Sequence, residues 1–223
     1  MSRQPNNAND RDVISELTTG RLSVYLRCLT LLEGQGQKTV SSHELADKFH
    51  LNSAQIRKDL ACFGEFGTRG VGYDVVRLKA QLVETLGLDR NRNVIIAGAG
   101  NLGMALADYS GFNSNGFHIV AMVDADPAKT SRTSREGIVV LSWDRLAEIV
   151  RRNHVEIGII AVPAEAAQRV YDAFVDAGIQ AVLNFAPIQI KTRDQVKVKS
   201  VDLRISLESL SYHLRNVEDG ILP

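Results

Sequence analysis

The chain has 223 residues, which is enough for one large or two small domains, and 44% of them are apolar. Because 26 basic residues balance 26 acidic ones, no overall field attracts nucleic acid or a membrane, and any such affinity has to come from a local patch. No apolar segment approaches the roughly 20 residues that a membrane-spanning helix needs, and the first 12 residues are too polar for a secretion signal. The two cysteines lie in separate helical patterns without the spacing of metal ligands. We therefore expect Cys28 and Cys62 to be buried, reduced thiols of a cytoplasmic protein, and we expect no metal site.

After a loose N-terminal tail, the spacing of apolar residues predicts a helix over residues 20–32. Ser41 and Glu44 then form a capping box that begins a short helix, and Asn52 with Gln55 repeats the pattern at the start of another helix, over 53–63. Two short helices joined by a tight turn have the arrangement of a helix-turn-helix, in which the second helix enters the major groove of DNA.

The second of these helices has two different faces. Ile56, Leu60 and Phe63 share one side and should be buried. The other side carries long hydrogen-bond donors separated by small residues, which lets a helix lie deep in a groove while the donors reach base edges and phosphates. The predicted DNA-contacting residues of this helix are Ser53, Gln55, Arg57 and Lys58. An ordinary solvated helix face explains the same residues about as well.

The segment that follows favours the DNA interpretation. Residues 64–73 are rich in glycine and carry one arginine, Arg69, which is typical of the β-hairpin wing of a winged helix. An arginine at the tip of such a hairpin can enter the minor groove. A helix over 75–86 completes this part of the chain.

Strands and helices alternate beyond residue 92, which predicts a parallel sheet with helices on both faces. The fold class is therefore α/β, with an N-terminal winged helix-turn-helix and a Rossmann-like sheet domain. The predicted strands cover 94–97, 119–124, 139–141, 156–162, 181–185 and 196–203, and the helices cover 102–110, 143–153, 164–177 and 206–216.

The first strand of the sheet leads into a dinucleotide-binding pattern. A G-x-G-x-x-G sequence follows a buried strand, begins a helix, and is succeeded by an acid, Asp124, at the end of the next strand. The glycines allow a tight turn, close approach of the backbone to a pyrophosphate, and packing of helix on strand, while Asp124 would accept hydrogen bonds from the adenosine ribose. A carboxylate there repels a 2′-phosphate, so NAD is preferred over NADP; Asp126 is the competing candidate. The predicted loop residues are Gly98, Ala99, Gly100, Asn101, Leu102 and Gly103.

Two later segments lie at the carboxyl ends of predicted strands, where ligands of such sheets bind. Their positions favour a wall on the nicotinamide side of the cofactor, although the proline in each could simply end a strand. The predicted wall residues are Val162, Pro163, Asn184, Phe185, Ala186 and Pro187.

The sequence does not supply what a dehydrogenase needs. None of the five histidines falls at the carboxyl edge of the predicted sheet, and the roughly forty residues after Pro187 are too few for a substrate domain. We therefore expect no catalytic residues and a cofactor that is sensed. Two alternatives stay open: an NAD-dependent oxidoreductase with a helical N-terminal appendage, and a regulatory module that binds CoA or a nucleotide.

Taken together, these segments resemble the Rex family of bacterial redox-sensing repressors, which respond to the NADH/NAD⁺ ratio. The resemblance covers residues 20–216 and rests on Tyr25-Leu26-Arg27, residues 54–60, residues 66–73, the glycine loop with Ala107-Asp108-Tyr109, and residues 183–187. It implies a homodimer on palindromic operator DNA, released by NADH, in which each C-terminal helix packs between the domains of its partner. It also implies that Arg57 and Lys58 contact DNA, that Arg69 acts in the wing, and that Arg27, Tyr109 and Asp202 form a polar network. The chain departs from many relatives in having Leu203, where an aromatic residue follows the aspartate.

The resulting division of the chain has six parts. We expect a flexible tail (1–19), a winged-helix DNA-binding domain (20–86), a linker (87–92), a Rossmann NAD(H)-binding domain (93–204), an exchanged helix (205–217) and a second tail (218–223).

Overall fold

The structure, a computed structural model, describes residues 15–63, 67–68, 71–113, 115–193 and 195–219. The chain divides between Arg90 and Asn91 into two compact units. Each unit has its own hydrophobic core, and the two are described separately below.

The first unit combines helices with a small antiparallel sheet. Its elements are α1 (Glu16–Gly34), β1 (Thr39–Val40), α2 (Ser42–Phe49), α3 (Ser53–Ala61), β2 (Gly67–Thr68), β3 (Gly72–Asp74) and α4 (Val75–Thr85). The three strands pair in the order β1-β3-β2. Ile56 and Leu60 of α3 are buried against α1, α2 and α4 in one core, as the face analysis predicted, and Phe63 packs at its edge. The helix-turn-helix with a following β-hairpin confirms the winged-helix prediction.

The capping pattern of the sequence is confirmed in part. Ser41 and Glu44 form the complete capping box, with both reciprocal hydrogen bonds. Asn52 caps α3 by accepting from the amide of Gln55 at 2.9 Å, but the side chain of Gln55 does not return to the cap. Helix α1 begins at Glu16, with Ser15 as its cap, so residues 16–19 are helical and not part of the predicted tail.

The second unit is the predicted parallel sheet with helices on both faces. Its elements are β4 (Arg92–Ala97), α5 (Asn101–Ala107), α6 (Ser110–Asn113), β5 (Phe117–Asp124), β6 (Val140–Ser142), α7 (Leu146–Arg152), β7 (Ile157–Ile160), α8 (Ala164–Asp176), β8 (Ala181–Asn184), β9 (Lys197–Ser200) and α9 (Leu203–Glu218). The strand order is β6-β5-β4-β7-β8-β9, and every neighbouring pair is parallel. The chain leaves β4 toward β5 on one side and later reaches β7 on the other. That reversal opens a crevice at the carboxyl edge of the sheet.

Most predicted elements differ from the observed ones at their ends, and two of these differences change the element to which a residue belongs. The helix predicted over 102–110 stops at Ala107, and a separate short helix, α6, follows it. The strand predicted to reach Leu203 ends at Ser200, because the carboxylate of Asp202 accepts from the amide of Arg204 at 2.9 Å and begins α9. Leu203 therefore belongs to a helix.

The prediction of two buried thiols is right for Cys28 and wrong for Cys62. Cys28 is buried inside the core of the first unit, and burial raises the pKa of its thiol. Cys62 is exposed, because the helical rotation of about 100° per residue places it roughly 120° from Ile56 and 160° from Leu60. Within the described ranges, no helix is both long and apolar enough to cross a bilayer.

Candidate cofactor cavity and nucleic-acid interface

The glycine loop between β4 and α5 is shaped by close backbone packing. Gly98 has a φ of +102°, and a Cβ there would collide with the carbonyl oxygen of Ala161. A Cβ on Gly103 would collide with the carbonyl oxygen of Gly98. At Gly100, by contrast, an added Cβ would meet no described atom within 4 Å. Two glycines therefore hold the turn together, and the third leaves open space beside the backbone, as a bound pyrophosphate requires.

Asp124, at the end of β5, is locked to this loop. Its carboxylate accepts from the amide of Ala99 at 2.7 Å, from the amide of Asp126 at 2.9 Å, and from Nζ of Lys129 at 3.2 Å. Burial alone would oppose its ionisation, but these donors outweigh that effect and lower the pKa of the carboxyl below its ordinary value. An ionised carboxylate therefore faces the loop, as recognition of a ribose hydroxyl requires.

A cavity of about 680 Å³ lies in the crevice of the second unit. This is the size of a pocket for a cofactor or a drug-sized molecule. Of the predicted cofactor residues, its lining includes Gly98, Gly100, Asn101, Leu102, Asp124, Val162 and Pro163. Ala99 and Gly103 act behind the surface, one by holding Asp124 and the other by allowing α5 to pack on the loop.

The second predicted wall segment, residues 184–187, is not part of that lining. The side chain of Asn184 is completely buried, and its amide nitrogen donates to the carbonyl oxygens of Ala186 and Ile188, both at 3.1 Å. The side-chain oxygen Oδ1 of Asn184 accepts a hydrogen bond from the backbone amide of Ala186 at 2.9 Å. In this structure Asn184 therefore fixes the loop that holds Phe185, Ala186 and Pro187.

Among the lining residues that were not predicted from the sequence, three have long polar or aromatic side chains: Lys129, Trp143 and Arg169. Trp143, the chain's single tryptophan, follows Ser142, which pairs with Asp124 across the sheet. The pairing of β5 with β6 thus brings the indole next to the acid that would hold the ribose. Trp143 directly follows the third predicted strand, and this position could have identified it, but it was predicted only as the start of a helix.

The polar network implied by the resemblance lies on three separate elements. Arg27 is exposed on α1, Asp202 caps α9, and Tyr109 is 57% exposed with its ring edge-to-face against Phe112 at 5.0 Å between centroids. The network remains a prediction.

The predicted DNA-contacting residues of α3 lie within the first six of its nine residues, from Ser53 to Lys58. Lys58 and Arg57 are exposed, and Nη1 of Arg57 donates to the hydroxyl of Ser42 on α2 at 3.0 Å. Ser53 and Gln55 are half-buried in the first turn. Arg69, predicted for the wing, lies outside the described residues.

One buried acid of α3 was not selected from the sequence. Asp59 is 2% exposed and accepts from both Nε and Nη2 of Arg21, at 2.6 and 2.8 Å. The hydroxyl of Tyr25 donates to it at 2.8 Å, and Nε2 of Gln55 at 2.7 Å. The hydrogen bonds from Arg21 outweigh the effect of burial and lower the pKa of Asp59 to about 2. An anchored carboxylate thus ties α3 to α1.

Comparison with known proteins agrees with this two-part architecture. Residues 13–61 match the family model "Putative DNA-binding protein N-terminus", and residues 89–188 match the model "CoA binding domain". A redox-sensing transcriptional repressor Rex from Carboxydothermus hydrogenoformans is 50% identical over 202 residues, which cover 91% of this chain and 97% of that protein. The Rex repressor of Streptomyces avermitilis is 49% identical over 90% of this chain and 79% of its own length.

The chain belongs to the Rex family of redox-sensing transcriptional repressors. Solved structures of a Rex-family repressor, RSP, share its fold. The complex of RSP with β-NAD⁺ and operator DNA has a TM-score of 0.88 at 39% identity and covers 94% of this chain and 95% of that one. The complex of RSP with β-NADH has a TM-score of 0.83 at 37% identity and covers 94% and 97%. Membership of the Rex family also identifies the match to a CoA-binding model as one of fold.

Proposed function

We propose that this protein is a repressor that binds palindromic operator DNA as a homodimer and leaves it when NADH fills the cavity of the second unit. The observation that carries the proposal is that one chain of the Rex family folds both a winged helix and a cavity with a dinucleotide loop. Solved Rex-family relatives bound to NAD⁺ with operator DNA, and to NADH, support it.

The residues of the cavity fit NADH or NAD⁺. The open backbone at Gly100 would receive the pyrophosphate, and the ionised Asp124 would accept from the adenosine ribose, which disfavours a 2′-phosphate. Val162 and Pro163 give the carboxyl edge of the sheet an apolar wall. When bound, the cofactor supplies a ring that is neutral when reduced and cationic when oxidised. An apolar wall favours the neutral form, because burying the cation costs more.

The same cavity supports a sensor rather than an enzyme. Among the described residues, its lining includes no histidine or tyrosine to move a proton beside a nicotinamide, and its lysine, Lys129, is paired with Asp124. Its ionisable members are Asp124, Lys129 and Arg169, and the first two are bound to each other. We therefore propose that the cofactor is bound and measured without turnover.

Helix α9 supports a dimer in which it is shared between subunits. Leu203, Leu207, Leu210, Leu214 and Val217 repeat every four and three residues and fall within an arc of about 80°. Ile205 and Tyr212 lie on the opposite side, and all seven side chains are at least 41% exposed in the single chain. A helix with two apolar faces is suited to insertion between two surfaces. We propose that the partner subunit supplies both.

The DNA-binding surface is proposed to comprise the first turns of α3 and the wing. Ser53, Gln55, Arg57 and Lys58 would enter the major groove, with Arg69 in the adjacent minor groove. A two-fold dimer must hold its two recognition helices about 34–36 Å apart, or a multiple of that distance, to meet successive grooves. Repression is then sensitive to small rotations of the subunits. We propose that Arg27, Tyr109 and Asp202 transmit them, and that the protein acts in the cytoplasm with its operator.

We accordingly assign DNA binding to residues 20–86 together with the helical residues 16–19. NAD(H) binding is assigned to 93–202 and the exchanged helix to 203–217, two residues longer than predicted, because α9 begins at Leu203.

A titration tests the proposal. A palindromic operator is first selected from a randomised DNA library, and its affinity is then measured by fluorescence anisotropy at rising NADH or NAD⁺. We expect NADH to weaken binding and NAD⁺ to leave it intact; equal effects of the two forms would remove the sensor function. Sustained oxidation of NADH with small carbonyl substrates would favour the oxidoreductase alternative.

A further inference from the structure

The anchored carboxylate of Asp59 also controls a neighbouring side chain of the recognition helix. Gln55 lies one helical turn before Asp59, and its amide nitrogen Nε2 donates to Oδ1 of that carboxylate at 2.7 Å. Arg21 and Tyr25 supply the other three hydrogen bonds that Asp59 accepts. Gln55 is therefore held by a group that is itself fixed.

The chemistry of this contact determines which end of the Gln55 amide faces inward. An ionised carboxylate only accepts hydrogen bonds, so the NH₂ group of Gln55 must face it. The carbonyl oxygen Oε1 lies at the other end of the planar amide. It is then left as an acceptor, with the second N–H beside it as a donor.

Gln55 also occupies the part of α3 that approaches bases. It is the third residue of the helix, after the cap Asn52, and N-terminal residues of a recognition helix are those that contact base edges. Adenine presents an N6 donor beside an N7 acceptor in the major groove, which is complementary to an oxygen and an N–H of one amide.

We infer that Asp59, backed by Arg21, sets the orientation of the Gln55 amide and so selects adenine at one position of each operator half-site. Asp59 is a positioning residue that does not touch DNA, and Gln55 makes the contact. The inference rests on the proposed DNA binding and deepens it.

The test compares operator selection from a randomised palindromic library by the wild type and two variants. The wild type should require adenine at one position per half-site. Gln55→Ala should lose that requirement and bind the selected half-site about 5- to 140-fold more weakly. In Asp59→Asn, the new side-chain amide can donate a hydrogen bond to Oε1 of Gln55, so the Gln55 amide can rotate until its oxygen faces inward. Adenine should then cease to be preferred at that position, while the rest of the operator is kept.

A matched control separates this effect from a general loss of structure. Lys79→Met removes the ion pair between Nζ of Lys79 and Glu33, which joins α4 to α1 in the same unit without touching α3. This variant should keep the adenine requirement. If Asp59→Asn weakens all sequences by one factor and changes no preference, its role is structural and the inference is wrong.

A second measurement tests the contact in the wild type and does not depend on how Asp59→Asn folds. In the selected operator, the adenine is replaced by purine, which lacks the 6-amino group. The affinity of the wild type for this operator should fall by about the same 5- to 140-fold, and the affinity of Gln55→Ala should not change with the replacement. No loss in the wild type would overturn the inference, whereas failure of the wild type to select any palindrome would overturn the proposed function itself.

Discussion

The buried carboxylate of Asp59 should make the first unit sensitive to acid. Folding lowers its pKa from 3.8 to about 2. A carboxyl of this kind stabilises the fold fully at a pH above its pKa in the unfolded chain. That stabilisation is lost as the pH falls through its pKa in the folded protein. A pKa lowered by this much stabilises the fold by about 2 kcal/mol. That full amount is present at neutral pH; about half remains at pH 3, and little is left below pH 2. Asp59→Asn should therefore cost the first unit about 2 kcal/mol at pH 7.

Hydrogen exchange of peptides spanning α3 measures the stability of the first unit, and the fluorescence of Trp143 reports separately on the second. As the pH falls from 6 to 3, the difference in α3 protection free energy between the wild type and Asp59→Asn should shrink by about 1 kcal/mol. The unfolding reported by Trp143 fluorescence should be the same in both proteins. Lys79→Met serves as the control, since its partner lies on α1. A constant gap across this range would refute the assignment of the lowered pKa to Asp59.

Three further predictions concern the second unit. Gly100→Ala should leave the thermal midpoint unchanged but abolish NADH binding measured by calorimetry. Gly103→Ala should destabilise the second unit by about 1–3 kcal/mol, because the added Cβ would collide with the backbone. Equal destabilisation by the two substitutions would contradict this prediction. Asp124→Asn should weaken NADH binding about 10- to 100-fold and NADPH binding less, so an unchanged ratio of the two affinities would count against the ribose contact. Leu210→Asp should convert the dimer to monomers, as measured by light scattering, because two copies of this leucine are buried in the proposed dimer. Even truncation of both copies to alanine would cost roughly 4–10 kcal/mol in total. The control variant Glu208→Gln should remain dimeric.

The elements with strong local signals were predictable from the sequence. The capping box at Ser41, the buried stripe of Ile56 and Leu60, and the glycine loop before α5 each depend on neighbouring residues, and each was found where expected. Two expectations failed for different reasons. Cys62 was assigned to the core because free cysteines are usually buried, although the helical rotation places it away from Ile56 and Leu60. The alternating residues before Leu203 resembled a strand that the Asp202 cap in fact ends.

The contacts that could not be predicted are those made across long sequence separations. Asp59 pairs with Arg21, 38 residues earlier, so nothing near it in the sequence indicates a buried carboxylate. The same contact explains why Gln55 does not complete the capping box at Asn52: its amide instead donates to Asp59. Trp143 enters the cavity only because β6 pairs with β5, a register that the sequence did not specify.

The proposed switch needs only a modest difference in free energy. In the proposed complex, reduced and oxidised cofactor would share the pyrophosphate contact at Gly100 and the ribose contact at Asp124, so those contacts would not distinguish the two forms. NADH can release the operator only if it binds the released arrangement more tightly than the DNA-bound one, and a tenfold loss of operator affinity requires about 1.4 kcal/mol. By linkage, operator DNA must weaken NADH binding by the same factor. Helix α9 has apolar side chains on opposite sides, so both sides stay covered when the surfaces packed against them shift by a small rotation. We propose that the difference between a neutral and a cationic ring beside Val162 and Pro163 supplies this free energy, because burying the cation costs more.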